Sequence, residues 1–119
     1  MIVGRTGAGA GFRAGLQAAG VLGLLALAGC GGRAQARLHH VVIHQFLYEP
    51  AALTVARGDT VEWTNRDIVP HTATATPRAW DSGDMQPGAS ARVVSKASGS
   101  FDYGCSYHTN MKAHLTVSP

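Results

Sequence analysis

Cysteine, aromatic side chains and charge are all scarce in this chain. Only two cysteines occur, Cys30 and Cys105, so a disulfide framework is out of reach. Charged residues make up 14% of the sequence. From residue 30 onward, eight basic side chains are scattered among seven acidic ones. That balance excludes the basic face a nucleic-acid binder needs. No low-complexity tract of the disordered kind is present. Helical periodicity is missing after residue 38, which excludes a helical domain. The longest apolar run, roughly 15 residues, falls short of the ~20 that a bilayer-spanning helix requires.

What is there begins with an address. Residues 1–13 carry Arg5 and Arg13 and no acid, and an apolar, uncharged stretch follows. This is the layout of a secretory signal. The run ends in Leu27-Ala28-Gly29-Cys30, which resembles the lipobox of bacterial lipoproteins. The resemblance implies a signal peptide over 1–29, lipidation at Cys30, and a periplasmic or cell-surface location on a membrane anchor. With Cys30 lipidated, Cys105 becomes a lone thiol in an oxidising compartment, a liability unless a metal occupies it. Residues 30–37 are small, polar and basic, and read as a tether. The folded domain is expected over 38–119, and a core of that size gains from a metal staple.

Short β-prone runs fill the domain: 39–46, 51–65 with a turn at Gly58-Asp59, 71–76, 89–97, 100–105 and 114–118. Several short strands with frequent turn signals predict an all-β fold, a Greek-key β-sandwich. Side chains alternate faces along a strand. Core-facing Phe101 and Tyr103 therefore turn Cys105 inward, at the end of its strand. Leu115 and Val117 face inward on the last strand and His114 outward.

Behind Cys105 comes "SYHTNMKA", which places His108 and Met111 at successive spacings of three. A spacing of three cannot share one face of a strand, but a loop that curls round a point brings all three together. Singly, Met111 would be core filler, His108 an exposed loop residue and Cys105 a buried hydrophobe. Together a thiolate, an imidazole and a thioether suit copper, with the thioether as weak axial ligand. Structural zinc fits poorly because methionine is a poor zinc ligand. A dithiol centre lacks its second nearby cysteine. Nucleophilic catalysis lacks an orienting third group. Copper needs a second imidazole, and His71 is the best placed, since it follows the loop "NRDIVP" and opens a strand. His39, His40 and His44 read as surface residues on one strand, and Trp63 and Trp80 as packing residues.

The pattern F-x-Y-x-C-x-x-H-x-x-M over 101–111 resembles the copper loop of the cupredoxins, the amicyanin-like and plastocyanin-like proteins, and its short spacing resembles amicyanin in particular. Upstream, residues 46–74 and 80–90 resemble the strand, turn, Trp-x-Asn strand, first histidine and connecting segment of the same family. The resemblance implies one type 1 copper bound by His71, Cys105, His108 and axial Met111. Asn65, Thr72 and Ser106 would stand behind these ligands. Three departures are visible. Thr72 stands where asparagine is common and could tie the ligand loops only through its hydroxyl to Ser106. Thr109 replaces a proline, and Ala113 a glycine. The function implied is monomeric, non-enzymatic electron transfer, with transient redox proteins as partners. The alternative is a module for copper storage, delivery or sensing. Reversible one-electron voltammetry favours the first and ready loss of Cu(I) to a chelator the second.

Overall fold

The computed structural model describes residues 35–119 and, before them, only Gly4, Gly7, Gly9, Gly11 and Gly15. The expected signal segment, Cys30 and most of the tether thus lie outside the described residues. Eight strands follow in order: β1 (Leu38–His44), β2 (Leu47–Glu49), β3 (Ala52–Ala56), β4 (Thr60–Asn65), β5 (Thr74–Thr76), β6 (Ser90–Val94), β7 (Gly99–Gly104) and β8 (Lys112–Ser118). They form two four-stranded sheets, β2-β1-β4-β6 and β3-β8-β7-β5. Two neighbour pairs, β1 with β4 and β3 with β8, run parallel. A hairpin cannot make such pairs, so the chain crosses between the sheets, as a Greek key does.

The alternation read from the sequence is the one observed. Ala113, Leu115 and Val117 of β8 are buried while their neighbours are not. In β4, Val61, Trp63 and Asn65 point inward. Trp63 is fully buried, stacks on Trp80 at 5.4 Å and donates its indole N–H to the Tyr103 hydroxyl at 3.2 Å. One large side chain thereby bridges the two sheets, and burying such a ring contributes ~1.5–3 kcal/mol or more. Burial also pushes the Tyr103 phenol up to about 12, so it stays a neutral partner at any physiological pH.

One strand differs from the sequence expectation, and one expected turn is in place. The first strand stops at His44, and a two-residue connection, Gln45-Phe46, turns the chain into the short β2. The Gly58-Asp59 turn carries the chain from one sheet to the other rather than closing a hairpin. Gly58 has φ +96°, and its N–H and that of Arg57 are taken by the Ser95 and Ser118 carbonyls.

Asp59 locks this turn to the start of β1. Its carboxylate accepts the Arg37 N–H at 2.9 Å, the Ala56 N–H at 3.0 Å and the His39 ring Nε2 at 2.8 Å. The Arg37 amide leads these bonds in pulling the carboxyl from its ordinary 3.8 down to about 2. Because the unfolded chain takes up this proton first, the stabilisation is complete above 3.8 and is lost as pH falls through about 2. We therefore expect Asp59→Asn to lower the unfolding temperature at neutral pH and to flatten its fall across that acid window. Thermal unfolding followed from neutral to strongly acid pH checks this, and parallel curves for the two proteins would refute it.

Candidate metal centre

The site lies where β4, β7 and β8 reach the same end of the sandwich. Past Asn65 the chain cannot continue the sheet, because the next residues must loop back to β5. The fully buried Asn65 side chain shapes that loop. Its Nδ2 donates to the carbonyls of Val69 and Met85 at 2.8 and 2.9 Å, and its Oδ1 accepts the Asp67 N–H at 2.9 Å. His71 then pairs with Met85 through backbone bonds in both directions. Its ring is wholly buried.

On the other side, Tyr103 is buried, and two residues on Cys105 is buried as the pleat requires. Gly104 between them pairs with both Thr74 and Lys112. A Cβ there would collide with the Met111 carbonyl oxygen, so only glycine lets the returning loop pass this close. The loop contains no helix among its residues and curls through a turn closed by the Met111 N–H on the His108 carbonyl at 3.0 Å.

These elements bring together three of the expected donors. His71 Nδ1 lies 3.7 Å from Cys105 Sγ, and His108 Nδ1 lies 3.5 Å from it. The ligand atoms of all three residues fall within 4.8 Å of one another. Met111, the fourth expected residue, is buried on the same loop. Cys105 is a free thiol, and its sulfur receives the Thr72 N–H at 3.4 Å.

The Thr72 hydroxyl does reach the second loop. Its Oγ1 accepts the Ser106 N–H at 2.9 Å and lies 3.3 Å from the Ser106 hydroxyl. It also meets Thr74 Oγ1 at 2.9 Å, and Thr74 donates onward to Asp81 at 3.2 Å. A chain of hydroxyls thus occupies the place where asparagine was expected.

Two residues that sequence reasoning passed over complete the surroundings. Asp67 Oδ2 accepts the His71 Nε2–H at 2.7 Å. A carboxylate can only accept, so Nε2 carries the proton and Nδ1 keeps its lone pair facing the sulfur. The same carboxylate accepts the N–H groups of Gln45 and Phe46 at 2.6 and 2.9 Å. Burial pushes the Asp67 carboxyl up, but the bonds from Phe46, Gln45 and His71 outweigh it and hold the group below its ordinary value. Phe46 stands perpendicular to both histidine rings, with centroids 5.2 Å from His71 and 4.9 Å from His108. A signal for Asp67 was present, an acid four residues before a candidate ligand, but in a loop that spacing has no fixed geometry.

The remaining histidines are elsewhere. His39, His40 and His114 each meet a carboxylate, those of Asp59, Glu62 and Asp102, and His44 is exposed.

The family profile of the cupredoxin-like domain matches residues 17–117. Plastocyanin of Synechococcus sp. (strain JA-2-3B'a(2-13)) is 35% identical over 54 residues, which cover 45% of this chain and 34% of the plastocyanin. The chain therefore spans well under half of that relative's length. Among solved structures, an oxidised amicyanin variant superposes with a TM-score of 0.63 at 27% identity, covering 67% of this chain and 81% of its own. A purple cupredoxin from Nitrosopumilus maritimus gives 0.62 at 26% identity, over 67% and 99%. One thiolate and two imidazoles are a donor set that fits the type 1 copper of cupredoxins. Fold, donor set and profile agree, and the chain belongs to the cupredoxin-like family.

Proposed function

We propose that the protein carries single electrons on one type 1 copper held by His71, Cys105, His108 and, axially, Met111. The observation that carries this reading is the convergence of one buried thiol and two imidazole nitrogens within 4.8 Å. Bound there, copper supplies the one-electron change between its two oxidation states. The chain's own part is to keep the donors where both states accept them. Cys105 supplies the thiolate, and the Thr72 N–H directed at its sulfur stabilises the anionic form. Asp67 fixes the His71 tautomer. Asn65 holds the first ligand loop, and Thr72 with Ser106 ties it to the second.

His108 is partly exposed, and it gives electrons their shortest way in and out. Phe46, 41% exposed, packs against its ring, and Val69, Pro70 and Tyr107 line a hollow beside it. Such a rim suits brief docking of redox proteins over a small interface. Export, lipidation at Cys30 and the tether over 30–37 would keep a monomeric carrier at the membrane surface, where its partners work.

The copper-loaded wild type should show intense visible absorption and a reversible one-electron wave in voltammetry. Cys105→Ser should lose that absorption, and a serine variant that kept it would sink the assignment. Thr72→Val preserves shape but removes the bond to the N–H of exposed Ser106, at a cost of ~0.5–1.5 kcal/mol. For a domain this small each kcal/mol lowers the unfolding temperature by roughly 4–8 °C. Calorimetry should show that fall with copper still bound, and an unchanged temperature would mean the tie contributes nothing.

A further inference from the structure

Gln45 and Phe46 both adopt left-handed backbone, with φ of +52° and +61°. A two-residue hairpin connection demands this, and Asn-Gly or Asp-Gly are the residues that supply it without strain. Neither Gln nor Phe does, and a strained backbone that persists is held by its surroundings. Here the holder is visible: Asp67 accepts both N–H groups of the turn, and its loop is fixed to the end of β1 by the Arg66 N–H on the Ile43 carbonyl at 2.8 Å. A connection that served only to reverse the chain would gain nothing from a large aromatic that is 41% exposed. What Phe46 touches explains it, since its ring is perpendicular, at 87°, to both histidine rings.

We propose that Asp67 and the Gln45-Phe46 turn form one positioning unit that sets both histidine rings before metal arrives, with Phe46 as the wall against which His108 rests. The proposal rests on the copper reading above. Asp67 acts on His71 directly through Nε2 and on His108 indirectly, through the turn whose amides it fixes and the ring that turn presents. The His108 ring lies on a short loop, between the Cys105 sulfur and Phe46. Without the wall it is free to swing outward, and the site loses its second imidazole.

The test compares wild type with Phe46→Ala, Phe46→Tyr, Asp67→Ala and Asp59→Asn. Two quantities are read: the rate at which bicinchoninate strips Cu(I) from the loaded protein, and the 15N-histidine ring signals of the metal-free protein. Phe46→Ala should speed extraction several-fold and broaden the His108 signals, while Phe46→Tyr, which keeps the ring, should restore both. Asp67→Ala should weaken copper binding by about 10–100-fold and disturb the signals of both rings. Asp59→Asn, a fold defect at the opposite end of β4, should leave both quantities as in wild type. Extraction and ring signals in Phe46→Ala identical to wild type would overturn the proposal and leave the copper site standing, as would an equal acceleration in Asp59→Asn. A wild type that binds no copper would overturn the copper reading, and the ring signals of the metal-free proteins would still decide on the positioning unit.

Discussion

Asn65 is a buried amide surrounded by backbone, and its two donors and its acceptor meet the chain on three sides. An unpaired polar group in this place would cost ~1–3 kcal/mol, so the loop and the connecting segment are held where they answer it. The Val69 carbonyl fixes the loop before His71, the Met85 carbonyl fixes the strand fragment that pairs with His71, and the Asp67 N–H aims the carboxylate. From Asp67 the constraint passes to the His71 tautomer and to the Gln45-Phe46 turn. The first half of the metal site is therefore the consequence of one side chain at the end of β4.

That chain of cause explains what the sequence reveals and what it conceals. Strand alternation is a local property, so the inward direction of Cys105, Leu115 and Val117 follows from counting by twos. The ligand loop is local as well, because Cys105, His108 and Met111 lie within seven residues. His71 was accessible because it closes a loop that leads into a short strand, although that strand begins only at Thr74 and His71 itself makes a lone bridge to Met85. Asp67 and Phe46 were not accessible. Their contacts join residues 21 and 22 positions apart, and nothing local in Gln-Phe announces a reversal. β2 escaped for the same reason, since three residues are too few for a pattern and its entry turn lacks glycine or asparagine. The Gly58-Asp59 turn was legible as a turn, but whether a turn closes a hairpin or changes sheets depends on packing decided elsewhere.

The second half of the site is held by different means. Where relatives were expected to place one asparagine, this chain has hydroxyls in series, Ser106, Thr72 and Thr74, ending on the Asp81 carboxylate. The carboxylate can only accept, so Thr74 donates to it, while Thr72 donates to the Ser106 hydroxyl and its oxygen accepts the Ser106 N–H. The Thr74 and Ser106 hydroxyls also meet at 3.2 Å, which closes the three into one cluster beside Cys105.

Thr109 can be judged against the same background. In the turn from His108 to Met111, closed by the Met111 N–H on the His108 carbonyl, residue 109 is the first central position, the one proline suits best. The closing bond uses the amide of Met111 and not that of Thr109, so a proline would fit and threonine forfeits only a preset φ. That difference acts through the unfolded chain and is worth ~0.4–1 kcal/mol. The Tyr107 hydroxyl bond to Asp84 at 2.6 Å and the Ser106 tie to Thr72 both restrain the same few residues. Both act where the preset φ of a proline is missing. The stiffness of the ligand loop has therefore moved from the backbone of residue 109 to side-chain bonds on the residues before it.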